Sequence, residues 1–381
     1  MQLRDDPFLS IANKIPNKYI ENNKRNIVGY YCTYIPEELL EAADLIPFRI
    51  RATGNEDTNK ADTYMVRFTC SFVRSTLNLA LDGVYDFLDG LFVCNSCDHS
   101  RRMFEIFDMV VFKREGFNKN VPRFYIAIPH ILTEEGYQWF YGEISELKNN
   151  LEKVYNVKIS DDKLNDTIKL YNRNRKLMRE IYELRNLNHP KLTGTEALQL
   201  AIANSSVPKE IANRELERLL GIFREREGLN IDDKKRILLI GSVVDNAKFT
   251  ELVESSGAII VSDNLCFGKK TIMEDIDSNS SKSPLERIAK RLYYRNPSCP
   301  RSMDDHKRRL EFVKNQIKIA NVDGVLLQRI TNCDLHGCDN MLFEHELKEL
   351  DVPVFNIDRE NFQSDYTRFQ TRIEAFLEMI R

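Results

Sequence analysis

The clearest pattern along the chain is a short apolar run followed by an amphipathic helix and a second apolar run, and it occurs twice. Positions 27–50 read as a strand ending near Gly29, a helix "EELLEAADL", and a return strand "IPFRI". Positions 236–263 repeat this order, with Gly241 after the first strand and Gly257 after the helix. Two such units predict an α/β protein with two parallel sheets.

A second similarity follows each unit. The first half continues as "LDGLFVCNSCDHSRRMFE" and the second as "VDGVLLQRITNCDLHGCDN", so that in both Asp-Gly leads into a strand and then to a cysteine followed by aspartate. Open α/β sheets bind ligands at the carboxyl ends of their strands. Cys97 and Cys333 therefore lie where a ligand is expected. Cys94 falls within the strand and is predicted to pack.

The stretch between the halves, from about Gly136 to Leu229, is charged and has apolar residues at three- and four-residue intervals, which predicts a helical connector. We therefore expect an N-terminal α/β domain over 1–145, a connector over 146–230 and a C-terminal α/β domain over 231–381.

Composition narrows the class of protein. The chain has 381 residues, 42% hydrophobic and 30% charged, with a net charge of -3, which is typical of a folded globular protein rather than a disordered or nucleic-acid-coating one. The N-terminus lacks the apolar region of a signal peptide, and no apolar run reaches the roughly 18 residues of a membrane helix. We expect a cytoplasmic protein with no nucleic-acid or membrane partner.

The eight cysteines are better read as thiols or metal ligands than as disulfides in that compartment. Cys70 is predicted at the junction between a short β-like run and a helix that continues to Gly83. Together with Cys97 and Cys333 it could converge on one cleft, an arrangement that iron–sulfur clusters tolerate. A lone cysteine is by default a small buried hydrophobe, and "CNSC" alone also serves redox exchange or zinc binding.

Six motifs occur in a family-specific order. They are "GYYCTYIPEELLEAADLIPFRI", "CSFVRSTL", "DGLFVCNSCDHSRRMFE", "SDNLCFGKK", "NPSCPRSM" and "QRITNCDLHGCDN". From about Ile27 to the C-terminus the chain resembles the benzoyl-CoA reductase and 2-hydroxyacyl-CoA dehydratase family. The resemblance implies two Rossmann-like domains with a [4Fe-4S] cluster in the cleft between them, and its ligands here would be Cys70, Cys97 and Cys333.

The resemblance also implies the chemistry and the partners. Family members deliver one electron through the cluster to an acyl-CoA thioester, for dehydration by a lyase or for ring reduction by an oxidoreductase in anaerobic metabolism. They pair with a homologous subunit, as a heterodimer or homodimer, and receive the electron from an ATP-hydrolysing iron–sulfur activator. This chain contains no GxxxxGK[ST] phosphate loop, so ATP would act only through the partner.

Other polar residues are candidates with structural alternatives. Glu37 is a catalytic candidate, although Glu37 and Glu38 at a helix start also suit the helix dipole. His336 could donate a proton near the cluster or be a satisfied loop histidine. Basic residues that could meet CoA phosphates, or simply be solvated, are Lys269, Lys270, Arg301, Arg308 and Arg309.

Two further readings stay open. One is a double-cubane cluster reductase of small molecules, in which Cys266 and Cys299 would join a second cluster. The other is a supporting or electron-relay subunit without its own substrate site. The sequence does not decide which acyl group is bound, because loops without a readable code form the walls of such a pocket.

Overall fold

The computed structural model describes residues 6–15, 18–21, 23–117, 119–361 and 366–380, and two four-stranded parallel sheets form its framework. The first has the order β2-β1-β3-β4 and the second the order β6-β5-β7-β8. The strands are β1 Ile27–Tyr30, β2 Ile46–Arg49, β3 Gly90–Cys94, β4 Arg123–Ile126, β5 Lys235–Gly241, β6 Ala258–Asn264, β7 Gly324–Ile330 and β8 Val354–Arg359. The predicted α/β class with two parallel sheets is confirmed.

Helices connect the strands and cover both faces of each sheet. They are α1 Lys18–Glu21, α2 Glu37–Ala42, α3 Ser71–Leu81, α4 Asp98–Met109, α5 Glu134–Val154, α6 Asp161–Glu183, α7 Gly194–Asn204, α8 Lys209–Glu225, α9 Ala247–Ser255, α10 Pro284–Tyr294, α11 His306–Ile319, α12 Asp334–Lys348 and α13 Tyr366–Met379. The domain boundaries at 145 and 230 stay a prediction; α5 runs through residue 145.

The central strands are buried on both faces. Val28 and Phe92 pack into one hydrophobic cluster, whereas Leu91 and Val93 pack into another. This alternation follows from the two-residue period of a strand, and burial on both faces explains why these strands read as continuous apolar runs. The sheet is therefore rigid where its carboxyl edge presents loops.

One predicted strand is absent from the described part of the chain. The run before Cys70 forms turns, and its apolar side chains Val66 and Phe68 are exposed by 62% and 79%. A β-like composition did not form a strand here because no neighbouring strand supplies the hydrogen bonds or the packing that a strand requires. The predicted helix is confirmed: α3 ends at Leu81, just before Gly83.

The carboxyl edges of the two sheets meet. Arg49 at the end of β2 donates a 2.6 Å hydrogen bond to the carbonyl of Cys266. The backbone N–H of Asn361 donates to Ser71 Oγ at 2.8 Å, and the Asp245 carboxylate accepts from the backbone N–H of Ala52. The cleft between the sheets is thus closed by direct contacts. In the part of the chain that the structure covers, no helix is long and apolar enough to cross a membrane.

Candidate functional site: a thiol cleft beside a charged cavity

Three cysteines occupy equivalent positions at the starts of three helices. Cys70 precedes α3, Cys97 precedes α4 and Cys333 precedes α12, each as the residue that caps the helix. Cys97 and Cys333 follow β3 and β7 by three residues, as the sequence pattern predicts. The positive end of a helix dipole favours a thiolate. Each of the three helix starts is therefore a position suited to a thiolate.

The three thiols interact electrostatically. Burial, followed by the neighbouring Cys97, raises the pKa of Cys70 to about 12. Burial, followed by Cys70, raises the pKa of Cys333 well above its usual value, and Cys97 adds to this. Burial also raises the pKa of Cys97, while the backbone N–H of Ser100, 3.4 Å from its Sγ, opposes the shift. The thiols are therefore close enough to affect one another's ionisation.

Three cysteine thiols are a donor set that iron–sulfur clusters take from proteins. Among the described residues, no three histidine, cysteine, aspartate or glutamate side chains are arranged to hold one metal ion. A cube of iron and sulfide binds each thiolate through a different iron, so its ligands need not converge on one point. Three cysteines on separate helix starts fit that requirement.

A second group of thiols contains Cys32, Cys94 and Cys299, which pack in or against one hydrophobic cluster. Cys94 is fully buried at the end of β3 and packs in the core, and Cys32 follows the adjacent strand β1. A hydrogen bond from the Cys94 thiol, together with the cation of Arg295, lowers the pKa of Cys32 well below its usual value. Cys299 packs in the same cluster. Sequence reasoning missed Cys32, because its closeness to Cys94 depends on the pairing of β1 with β3.

Glu37 lies in the wall of a separate cavity of about 50 Å³. Tyr30 donates to its carboxylate at 2.9 Å, and the ammonium of Lys209 is 3.5 Å from its other oxygen. Glu38 lies beside it but forms a buried 2.6 Å ion pair with Arg175. The two glutamates at the start of α2 thus differ, because only Glu38 is fully paired with a guanidinium.

His336 and Lys270 interact electrostatically. His336 is buried in the first turn of α12, and its Nδ1 has no hydrogen-bond partner among the described residues. Burial, aided by the cations of Lys270 and Arg309, lowers the pKa of His336 well below its usual value. Lys270 lines the cavity, and its cation also opposes the rise that burial causes in the pKa of Cys299. The ammonium of Lys270 therefore affects the pKa of both His336 and Cys299.

The other basic candidates are part of the protein framework. Lys269 donates to Ser262 at 2.9 Å, and burial lowers its pKa to about 7. Arg301 is fully buried and donates to the carbonyl of Ile128 at 2.7 Å. Arg309 forms a 2.7 Å ion pair with Asp339, and Arg308 forms a 2.8 Å pair with Asp305. Lys270 differs from these four in having no such partner in the described ranges.

Comparison with known proteins identifies relatives over almost the whole chain. A family model described as 2-hydroxyglutaryl-CoA dehydratase, D-component, matches residues 32–380. The beta subunit of (R)-phenyllactyl-CoA dehydratase from Clostridium sporogenes is 25% identical over 369 residues, covering 96% of each chain. A benzoyl-CoA reductase subunit from Thauera aromatica is 24% identical over 87% of this chain and 85% of its own. The beta subunit of (R)-2-hydroxyglutaryl-CoA dehydratase from Acidaminococcus fermentans is 24% identical, covering 95% and 94%. The resemblance derived from the six motifs is confirmed.

Proposed function

Because the chain belongs to the family of 2-hydroxyglutaryl-CoA dehydratase D-components, we propose that it is an iron–sulfur subunit of an acyl-CoA dehydratase or benzoyl-CoA reductase type enzyme. The observation that carries this proposal is the set of coupled thiols at the starts of three helices, Cys70, Cys97 and Cys333. These residues would hold a [4Fe-4S] cluster. Such a cluster, when bound, supplies one electron at a potential that can reach about -700 mV.

The chain's own residues prepare this cleft in two ways. The apolar cluster that contains Cys70 and packs against Cys333 keeps water from the thiols. The N–H groups of Val73, Ser100 and His336 oppose the effect of burial and favour the thiolate that a metal needs. A dry site with fixed backbone donors is suited to tuning the potential of a cluster.

Glu37 and His336 are the polar residues that we propose to act on the substrate. Glu37 is held by Tyr30 and Lys209 at the cavity wall, where a carboxylate could accept a proton from a bound acyl group. The lowered pKa of His336 favours a neutral imidazole, which donates a hydrogen bond but not a proton as an acid. We therefore assign proton acceptance to Glu37 and orientation of a bound oxygen to His336.

The partners follow from the relatives. Each of these is named as one subunit of its enzyme, so we infer that this chain works with a homologous subunit. Its substrate would be a CoA thioester, and a separate ATP-hydrolysing activator would supply the electron in the cytoplasm of an anaerobically growing cell. Acyl-CoA dehydration and ring reduction both remain within this proposal.

A double-cubane cluster is the second candidate, because the two thiol groups are themselves coupled. Cys32 and Cys299 raise the pKa of Cys97, and Cys266 raises that of Cys333, in each case after burial. Further thiols near the proposed ligands could extend the metal site. Iron content separates the two, at about four irons per chain for one cube and about eight for two.

The test is an anaerobic assay of the complete enzyme. The chain is combined with its homologous subunit and activator, ATP and reductant, and supplied with either a 2-hydroxyacyl-CoA or benzoyl-CoA. We expect ATP-dependent turnover of one of the two, lost in Cys97→Ala and retained in Cys338→Ala, whose thiol is exposed. Equal turnover by Cys97→Ala and the unmodified chain would disprove the assigned role of Cys97.

A further inference from the structure

The cavity beside Glu37 carries an unusual charge balance. It lies between the ends of β1 and β2, the start of α2, the helices α6 to α8, the segment before α10 and the end of α10, so both halves of the chain contribute to its walls. Its lining contains two carboxylates, Glu37 and Glu38. The cations in the same lining number six and are Arg49, Arg175, Lys209, Lys270, Arg291 and Arg295.

The two carboxylates are already paired. Glu38 binds Arg175 at 2.6 Å, and Glu37 lies 3.5 Å from Lys209. Asp275, outside the cavity, is 3.7 Å from Arg175 but forms its closer 2.8 Å pair with Arg179. Four cations of the lining therefore remain without a carboxylate partner among the described residues.

Three of these four cations are guanidinium groups bound to neutral oxygens. Arg49 donates to Cys266 O at 2.6 Å, Arg291 to Thr271 O at 2.7 Å and Arg295 to Thr33 Oγ1 at 2.5 Å. The Nε atoms of Arg49 and Arg295 have no acceptor in the described ranges. These contacts orient the guanidinium groups, and Arg49 and Arg295 also lie 3.8 and 4.0 Å from the ring centres of Phe267 and Tyr34, but none of the three forms an ion pair in the described ranges.

Lys270 is the fourth of these cations and differs from the three arginines in its hydrogen bonding. It is only 4% exposed, and its ammonium has no hydrogen-bond or ion-pair partner in the part of the chain that the structure describes. An isolated buried charge is costly unless a counter-charge is present. Lys270 therefore presents to the cavity a cation that no carboxylate of the described residues neutralises.

We propose that this cavity binds a compact oxyanion, and that Lys270 is the cation that pairs with it. A cavity of about 50 Å³ holds several water-sized groups, since each needs roughly 10–15 Å³. That space suits a carboxylate or a phosphate but not a whole CoA. Lys270 and Arg49 come from opposite halves of the chain, so the anion would join the two halves. This inference goes beyond the proposed function and does not require a cluster.

The test measures anion binding and thermal unfolding of the full chain at constant ionic strength, with sodium chloride as the reference salt. Acetate and inorganic phosphate are the probes, and calorimetric titration measures their affinity. The variants are Lys270→Met and, as the matched control for loss of one positive charge, Lys169→Met, whose side chain is 74% exposed on α6. We expect saturable binding of at least one probe, weakened roughly 10- to 100-fold in Lys270→Met and unchanged in Lys169→Met.

Stability supplies an independent result. Without acetate or phosphate, Lys270→Met should unfold at a higher temperature than the unmodified chain, because it removes an unpaired buried charge. Tighter binding of acetate would identify the ligand as a carboxylate, and tighter binding of phosphate as a phosphate group. Absence of binding by both probes, unchanged affinity in Lys270→Met, or a lower unfolding temperature of that variant without the probes would each overturn the proposal.

Discussion

The two halves of the molecule begin their third strands in the same way and end them differently. Asp89 and Asp323 each accept a hydrogen bond from the backbone at the start of the neighbouring strand, at 2.9 Å from Ile27 N and 2.7 Å from Arg236 N. Each aspartate also donates its own N–H back to that residue's carbonyl. The repeated Asp-Gly pair therefore fixes strand register, and its function is structural.

The difference appears three residues after each cysteine. Ser100 closes a capping box with Cys97 at the start of α4, whereas His336 occupies the corresponding place in α12 and turns inward toward Lys270. The Ser100 side chain hydrogen-bonds the backbone of its own loop, whereas the buried His336 ring is affected by the cations of Lys270 and Arg309. Similar sequences thus give one loop whose polar side chain caps its own helix and one whose polar side chain is buried without a cap hydrogen bond.

The largest expected effect tests whether both halves contribute to one metal site. Cys97→Ala and Cys333→Ala should each abolish bound iron and labile sulfide, because a cluster shared by two domains loses a ligand in either case. Cys94→Ala should keep both, since that thiol packs in the core. Metal analysis of anaerobically purified variants measures this. Loss of iron on changing only one of Cys97 and Cys333 would place the site within a single half.

The next effect tests the glycines that follow the two aspartates. A Cβ at Gly90 would clash with Tyr155 and Val28, and one at Gly324 would clash with Ile380. Gly90→Ala and Gly324→Ala should each lower the free energy of unfolding by about 1–3 kcal/mol through overpacking. Denaturant unfolding provides the measurement, and Gly142→Ala, where a Cβ meets nothing within 4 Å, is the control. An unchanged stability in either variant would show that close packing does not require its glycine.

Replacement of the aspartates should have a smaller and matched effect. Asp89→Ala and Asp323→Ala each remove the acceptor of a backbone N–H, which should cost about 1 kcal/mol of folding free energy. Denaturant unfolding should give similar losses for the two variants, with iron content retained. Iron loss from either variant at full folding would mean that its aspartate supports the metal site directly.

The smallest expected effect tests the difference between the loops. Ser100→Ala removes one half of the capping box at α4 and should lower the free energy of unfolding by about 0.5–1 kcal/mol. Thermal or denaturant unfolding can resolve this change, with Ser255→Ala on the exposed end of α9 as the control. A loss of several kcal/mol would indicate that Ser100 organises the thiol cleft as well as the helix start.

Local sequence patterns were sufficient to predict part of the fold and part of the candidate site. The two strand–helix–strand units and the position of Cys97 and Cys333 after strands depend on apolar runs and glycine spacing, which neighbouring residues determine. The pairing of Cys32 with Cys94 and the isolation of Lys270 depend on which distant segments meet. "SDNLCFGKK" gives two adjacent lysines of identical type, yet Lys269 binds Ser262 while Lys270 has no partner in the described ranges.

The same limit explains the incorrect strand before Cys70. Val66 and Phe68 have high strand propensity, but propensity acts only where a partner strand is available. The lowered pKa of His336 likewise arises from burial and then from the cations of Lys270 and Arg309, all of which depend on segments that lie far from it in sequence. Sequence therefore predicts the framework of the site better than its electrostatics.

The most direct test of the central claim is the iron and acid-labile sulfide content of the unmodified chain purified without oxygen, together with its electron paramagnetic resonance spectrum after reduction. We expect about four irons and four sulfides per chain and the signal of a reduced [4Fe-4S] cluster. Intact protein with neither iron nor sulfide would contradict the claim that Cys70, Cys97 and Cys333 hold a cluster.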